Sequence, residues 1–97
     1  MAYVQQSGSA TTARVSKGKL TAKTESKELG KANNDRIALL VTNGGAKDAW
    51  LALGEAAVAE EGIYLKKEGG AWENVVYTGP IFAITKEGET NLSYSEV

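Results

Sequence analysis

The sequence predicts an all-β protein, a small antiparallel β-sandwich or barrel with an extended N-terminal arm. From residue 35 onward, short apolar segments recur at intervals of about 8–12 residues, separated by turn-forming Gly, Asn and Asp. The first 34 residues are small and polar, with too little apolar surface to offset the entropy of ordering them alone. We therefore divide the chain into an arm, residues 1–34, and a body, residues 35–97.

Composition limits the chemistry that the chain can perform. It has 97 residues, no cysteine and no histidine, which excludes disulfides, thiol nucleophiles, His-based acid–base catalysis and the usual zinc sites. No apolar run approaches the roughly 20 residues of a membrane span, and no signal peptide is recognisable. We expect a soluble intracellular domain with no cofactor and no membrane partner.

Charge is distributed unevenly between the arm and the body. Residues 1–34 carry six basic and two acidic groups, a net charge of +4, while residues 35–97 carry five basic and ten acidic groups, a net charge of −5. The basic residues of the arm occur singly, which disfavours nucleic acid as a partner. An acidic protein surface and simple solubilisation of the arm both remain open.

The arm contains short segments that can pair with an available sheet edge. Residues 12–15 and 19–23 alternate in the manner of strands, whereas residues 25–29 predict a helical turn that Gly30 stops. We predict that the arm binds a larger partner by strand addition, helped by basic and apolar side chains. The predicted partner-binding residues are Tyr3, Val4, Arg14, Val15, Lys17, Lys19, Leu20, Lys23 and Leu29.

The first half of the body contains three predicted strands. Residues 36–42 are apolar on both faces, which is typical of a buried central strand. Residues 49–53 and 62–66 form the second and third strands. Between them, residues 55–61 form either one helical turn or a loop that tucks Val58 inward.

The second half of the body also consists of short β segments. Residues 71–73 and 75–77 are followed by a Gly-Pro break. Residues 81–85 predict a strong strand, and a short hairpin loop leads to residues 90–96, which alternate to the end of the sequence.

The apolar residues at β spacing define the predicted core. A body of 63 residues buries only about 60% of its unfolded surface, so we expect it to self-associate. The predicted core residues are Ile37, Leu39, Val41, Leu51, Leu53, Ile63, Leu65, Ile81, Ala83, Ile84 and Leu92.

The sequence predicts no active site, no enzyme activity and no metal site. The acidic groupings fall in predicted loops, where carboxylates are usually solvated, and the serines have no histidine to activate them. The aromatic residues form either a stacking face for bases or sugars or, more commonly at strand positions, part of the core. These aromatic residues are Trp50, Tyr64, Trp72, Tyr77 and Phe82; the acidic residues are Asp35, Glu60, Glu61, Glu87 and Glu89.

Five segments between residues 36 and 96 carry a resemblance to a known family. They are RIALLVTNGG, WLALGEAAVAEEGIYL, GGAWE, YTGPIFAIT and a closing Leu92-x-Tyr94-x-Glu96. Together they resemble a small β-rich module of tailed-phage virion proteins, which include capsid decoration (cement) proteins and head fibres. The matching residues are turn and core residues, so they specify a fold better than a function.

The resemblance implies a non-enzymatic structural protein, often trimeric, on the outer surface of a bacteriophage capsid. Its expected partners are the major capsid protein or another virion protein, and further copies of itself. The expected location is the virion, after synthesis in the host cytoplasm. The alternative is a head-fibre or receptor-binding module that recognises a glycan or protein on the host surface.

Overall fold

The computed structural model describes residues 16–97, and these residues form two four-stranded antiparallel sheets. The predicted all-β sandwich is therefore confirmed. The strands are β1 (Ser16–Ala22), β2 (Lys27–Gly30), β3 (Leu39–Asn43), β4 (Ala49–Leu53), β5 (Ile63–Leu65), β6 (Gly70–Asn74), β7 (Ile81–Thr85) and β8 (Thr90–Glu96).

The chain passes repeatedly between the two sheets. Sheet one has the order β1-β8-β3-β6, and sheet two has the order β2-β7-β4-β5. Most pairings therefore join strands that are distant in sequence. Within residues 16–97, no helix has the length and apolar character needed to cross a membrane.

Strand alternation directs one face of each sheet into a shared core. Leu51, Leu65, Ile81 and Val41 are fully buried, because aliphatic side chains at every second position meet between the sheets. The core cluster comprises Ala22, Leu29, Leu39, Val41, Ala49, Leu51, Leu65, Ile81, Ala83 and Leu92, with Leu53 and Ile63 partly buried against it.

The first predicted strand is shorter than expected and is buried on one face only. It begins at Leu39, whereas Ile37 is 69% exposed and Leu40 is 41% exposed. The prediction that Ile37 belongs to the core is therefore wrong. β3 is an interior strand in its sheet, but only one of its faces packs against sheet two, so Leu40 points outward.

Part of the predicted arm belongs to the sandwich itself. β1 pairs with β8 along seven residues, and β2 pairs with β7. Ala22 and Leu29 lie in the core, so the boundary at residues 34 and 35 does not separate an arm from a body within residues 16–97. The sheet edge that residues 19–23 were predicted to need is supplied by the chain's own β8.

A glycine within β1, at its contact with β8, explains how this polar strand packs. Gly18 lies directly opposite Tyr94 of β8, and a Cβ atom at residue 18 would overlap the tyrosine ring. The ring thus covers the backbone of β1 and supplies apolar surface that β1 itself lacks.

Two further local predictions are wrong. The helical turn predicted for residues 25–29 is replaced by β2, because this segment gains ladder hydrogen bonds to β7. Val58 is 51% exposed, and its neighbour Ala57 is the buried residue. The predicted segment 71–73 is β6, and the chain bends after Asn74, so residues 75–77 continue no strand. The segment 12–15 lies outside the described residues.

The loop between β4 and β5, residues 54–62, crosses the outer face of sheet two. Ala57 N–H donates to Ser26 Oγ at 2.8 Å, and Lys86 Nζ donates to Glu60 Oε2 at 3.0 Å. Because β7 separates β4 from β2 in this sheet, these contacts carry the loop over β7. Ile84 points to the outer side of β7, beside its cross-strand neighbour Trp50, yet is only 8% exposed.

Candidate functional site

Two surfaces at opposite ends of the sandwich are candidates for function. We name the ends after the buried polar residues that flank β3: the Arg36 end, where β3 begins, and the Asn43 end, where it finishes. The register places Leu39 beside Asn74 and Glu96 at the Arg36 end.

Arg36 ties several segments together beneath the surface of its end. Its side chain is only 1% exposed, and its Nε donates to Glu96 Oε2 at 2.7 Å. Its Nη1 donates to the carbonyls of Tyr77 and Gly79, each at 3.2 Å, and its Nη2 donates to the carbonyl of Lys31 at 2.7 Å. The guanidinium is thus paired and hydrogen-bonded, as a buried charge requires.

An apolar surface lies at the Arg36 end on the side of sheet one. Ile37 N–H donates to the carbonyl of Val97 at 2.6 Å, which brings these two residues together. Val75 and Val76 follow β6, whose last residue pairs with Leu39. The members of this apolar surface, exposed by 39–80%, are Ile37, Leu40, Val75, Val76 and Val97.

The backbone around Val75 and Val76 is fixed by a side-chain turn. Asn74 Oδ1 accepts from Val76 N–H at 2.8 Å and from Tyr77 N–H at 2.6 Å. An Asn side chain commonly makes such bonds two and three residues ahead. The two exposed valines therefore sit on an ordered turn.

Asn43 organises the opposite end through four hydrogen bonds. Its Nδ2 donates to the carbonyls of Lys47 and Leu65, at 2.8 and 3.1 Å. Its Oδ1 accepts from Gly45 N–H at 3.0 Å and from the hydroxyl of Thr90 at 2.8 Å. This fully buried amide uses its complete donor and acceptor capacity, and so fixes the loop between β3 and β4.

A cleft of about 140 Å³ opens on the outer side of the Asn43 end. It combines an aromatic ring with charged groups of both signs. We name it the aromatic cleft; the residues that line it include Lys47, Asp48, Trp50, Lys67, Lys86 and Glu87.

Two aromatic side chains form an outward-facing pair, of which Trp50 lines this cleft and Tyr64 lies beside it. Trp50 of β4 pairs directly with Tyr64 of β5, and their ring centroids lie 5.6 Å apart with an interplanar angle of 37°. Tyr64 is 53% exposed. Tilted aromatic pairs at this distance stabilise each other while leaving ring surface free for a ligand.

Asp48 joins the aromatic pair to the loop between β5 and β6. Its Oδ1 accepts from the backbone N–H of Lys67 at 2.9 Å, and this bond, more than its bond from Tyr64, lowers the pKa of Asp48 below 3.8. Partial desolvation and the bond to Asp48 raise the pKa of Tyr64 above 10.0. At neutral pH the cleft therefore holds a carboxylate acceptor, with a neutral phenol next to it.

The three lysines of the cleft are not equivalent. Lys86 is paired with Glu60, and this hydrogen bond raises the pKa of Lys86. The stem of Lys47 passes beside Gly88, where an added Cβ would lie 3.2 Å from Lys47 Cε. Among the ion pairs of residues 16–97, none includes Lys47 or Lys67.

The predicted partner-binding residues are scattered by the structure. Lys17 and Lys19 are exposed on the outward face of β1, opposite Ser95 and Ser93. Four of the predicted residues lie outside the described part of the chain: Tyr3, Val4, Arg14 and Val15.

The other predicted partner-binding residues have contacts within the sandwich. Leu20 is partly buried against the core, and Lys23 forms an ion pair of 3.6 Å with Glu89. Leu29 is 7% exposed and belongs to the core, so the prediction that it fills a pocket on a partner is wrong. β2 directs the Leu29 side chain into the core between the two sheets.

The structure also divides the predicted aromatic face. Trp50 and Tyr64 lie together on sheet two, whereas Trp72 and Tyr77 pack against the core. Of the acidic residues, Glu60 pairs with Lys86, and Asp35 is exposed. No group of three or more acidic side chains within residues 16–97 is arranged to hold a metal ion.

Sequence reasoning missed Arg36 as a buried organising residue and missed the cleft as a unit. A signal for the cleft was present in the alternation of β4, because Ala49 and Leu51 face inward and Trp50 must therefore face outward. The sequence around Arg36 contains no signal for its burial, because its charge partner Glu96 lies 60 residues away.

No family model, curated protein or solved structure matches the chain. The resemblance to tailed-phage virion modules therefore stays a prediction, and the two surfaces supply the argument for function.

Proposed function

We propose that the protein is a non-enzymatic structural protein of a phage particle, a capsid decoration protein that binds the outer shell and stabilises it. The observation that carries this proposal is the apolar surface at the Arg36 end. Contiguous exposed apolar residues rimmed by polar ones mark protein–protein interaction sites. The sequence resemblance indicates the partner: the major capsid protein or another virion protein.

The order of this surface supports a binding role. The Arg36 hydrogen bonds hold the backbone beneath it, and the Asn74 turn holds Val75 and Val76. A surface that is already ordered loses little conformational entropy on binding, so more of its contact energy is available for affinity.

Lys17 and Lys19 supply a second, electrostatic contribution in this proposal. Both are exposed on the outward face of β1, on the same sheet as the apolar surface. We expect them to meet acidic groups of the shell, so that attachment weakens as salt screens the charges. The trimeric state that the resemblance implies remains part of the proposal.

Attachment to particles tests this function. Purified protein is added to particles of the encoding phage that lack it, and bound protein is measured after sedimentation. We expect Val75→Asp with Val76→Asp to abolish attachment, because two charges would be buried against the shell. Val58→Asp is the matched control, since Val58 is an exposed valine outside the apolar surface.

Electron cryo-microscopy of the particles gives the second readout. Many symmetric copies on the outer shell, with the Arg36 end facing inward, are expected. Absence of the protein from purified particles, or equal attachment of the Val75/Val76 variant and the control, would overturn the proposal.

A second candidate function is a head-fibre or receptor-binding module. The observation that favours it is the exposed Trp50–Tyr64 pair beside charged groups at the Asn43 end. The two functions are compatible, because the aromatic cleft and the apolar surface lie at opposite ends of the sandwich.

A further inference from the structure

We propose that the aromatic cleft binds a saccharide that carries a carboxylate group. This inference deepens the receptor-binding candidate and rests on it for its biological meaning, but it does not depend on shell binding. It is argued from the aromatic pair, the fixed acceptor, the available ammonium groups and the order of the loops.

The aromatic pair provides the surface on which a sugar ring packs. A pyranose ring presents a face of C–H groups that packs against an aromatic ring, while its hydroxyls point to the sides. Trp50 is half-buried between its cross-strand neighbours Tyr64 and Ile84, and Tyr64 is 53% exposed. Trp and Tyr suit such a site because one part of each side chain is apolar and another is polar.

Asp48 provides a hydrogen-bond acceptor for sugar hydroxyls. Its position is set by the backbone N–H of Lys67, and the lowered pKa of Asp48 keeps it ionised at neutral pH. Hydrogen bonds to an ionised acceptor are shorter and stronger than those to a neutral one. A polyol is the ligand type that offers several hydroxyl donors to such a group.

Lys47 and Lys67 determine the charge of the ligand. Neither takes part in an ion pair within the described residues, whereas Lys86 is occupied by Glu60. A singly charged carboxylate can pair with these two ammonium groups. A phosphate dianion fits less well, because Asp48 and Glu87 also line the cleft and would repel it.

The cleft is ordered by buried hydrogen bonds. Asn43 holds the carbonyl of Lys47 at 2.8 Å, and Gly45 O accepts from Glu68 N–H at 2.9 Å, which joins the two loops that bear the lysines. Ordered loops reduce the entropy lost on binding, which favours recognition by few contacts.

Titration of the full chain with a galacturonic acid trisaccharide tests the inference, observed by ¹H–¹⁵N NMR. Shifts are expected at the Trp50 indole N–H and at the amides of Lys47 and Asp48. Two matched ligands separate the contributions: the methyl ester of the same trisaccharide, which keeps the ring and hydroxyls but not the charge, and acetate, which keeps only the carboxylate. The ester should bind about tenfold more weakly, and acetate should leave Trp50 unshifted.

Variants assign the binding to the cleft. Lys47→Ala with Lys67→Ala should weaken binding of the acidic trisaccharide about tenfold, and Tyr64→Ala should weaken both trisaccharides. The control, Lys27→Ala with Lys31→Ala, removes two exposed lysines outside both the cleft and the apolar surface and should bind normally. Equal affinity for acid and ester, equal binding by the Lys47/Lys67 variant, or no shift at millimolar ligand would overturn the inference.

The same variants distinguish this inference from the proposed functions. Tyr64→Ala should attach to particles as well as the parent does, because Tyr64 lies away from the apolar surface. A cleft that binds no acidic saccharide, in a protein that still attaches, would reject this inference and leave shell binding intact. Saccharide binding without any effect of Tyr64→Ala on host-cell adsorption would reject only the receptor role.

Discussion

One buried polar side chain organises each end of the sandwich, Arg36 at one end and Asn43 at the other. The two residues differ in how far along the sequence their hydrogen-bond partners lie. Arg36 is charged, and four of its bonds reach residues 5 to 60 positions away. Asn43 is neutral, and two of its four partners, Gly45 and Lys47, lie in the adjacent turn. The Arg36 end therefore depends on long-range assembly, whereas the Asn43 end is partly organised by a local turn.

The exposed surfaces of the two ends show the reverse order of polarity: the end with the buried charge is apolar outside, and the end with the buried neutral amide is charged outside. The Arg36 end covers its buried charge with exposed valine, isoleucine and leucine side chains, and the Asn43 end covers its neutral amide with lysine and acidic side chains. The difference indicates that each end presents a surface for a different class of partner, with the buried residue serving to order the loops.

Removing residues 1–30 is expected to have the largest effect, because it damages both ends together. This deletion takes β1 from sheet one and β2 from sheet two, and exposes core residues of β8 and β7. We expect no cooperative thermal unfolding and weak near-ultraviolet circular dichroism. Removing residues 1–15 alone retains the eight strands of residues 16–97 and is the control; a deletion of residues 1–30 that still melts cooperatively would show that the arm description was right for residues 16–30.

Replacing Arg36 tests the long-range end. Arg36→Met should lower the free energy of unfolding by about 3–5 kcal/mol, because Glu96 and three carbonyls lose their partner. Arg36→Lys should recover only part of this, since an ammonium cannot reproduce the planar set of donors. Urea denaturation measures both, and a loss below about 1 kcal/mol for Arg36→Met would mean that the charge is not needed to close this end.

Two leucines at the start of β3 test the effect of burial, because they are neighbours in the sequence but differ in exposure. Leu39 is 3% exposed and Leu40 is 41% exposed. We expect Leu39→Ala to cost about 2–5 kcal/mol, and Leu40→Ala to cost less than about 1 kcal/mol. Equal losses in thermal or urea unfolding would contradict the assignment of Leu40 to the exposed apolar surface.

Replacing Asn43 tests the locally organised end. Asn43→Ala should cost about 2–3 kcal/mol, because the carbonyl of Leu65 and the hydroxyl of Thr90 lose their buried partner. The effect should be smaller than that of Arg36→Met, since a neutral vacancy leaves no charge unpaired. Asn91→Ala, on the exposed side of β8, is the control and should change stability by less than about 0.5 kcal/mol.

The smallest expected effect is the acid dependence contributed by Asp48. The folded pKa of Asp48 lies below 3.8, so its contribution is complete above that pH and is lost as pH falls through the folded pKa. Asp48→Asn should therefore lose less stability than the parent protein on acidification from neutral pH to below 3.8. Parallel pH profiles of unfolding free energy would show that the carboxylate contributes nothing to the order of the cleft.

The parts of the fold that the sequence predicted are those with local alternation. Val41, Leu51 and Ile81 lie at β spacing between turn residues, and their burial follows from the segment itself. The same reasoning failed for Ile37, which is exposed. An apolar residue just before a strand has the same sequence pattern as a residue within it, and only the pairing register distinguishes the two.

The parts that escaped prediction depend on distant partners. β1 is too polar to indicate a strand in the core, and its packing becomes understandable only with Tyr94 lying over Gly18. For the candidate site, the sequence identifies Trp50 and Tyr64 as stacking candidates, but separating them from Trp72 requires knowledge of the sheets. Both features depend on which strands pair, and a short stretch of sequence does not reveal the pairing of strands that are distant along the chain.

The interior position of β8 in sheet one has a consequence for synthesis of the chain. β8 is the last strand along the sequence, yet β1 and β3 flank it on either side. While the chain emerges from the ribosome, β1 and β3 have no partner strand between them, and Arg36 lacks its charge partner Glu96. Sheet one is therefore completed only after translation of Thr90–Glu96: β3 can pair with β6 before then, but β1 stays unpaired and exposed to chaperones.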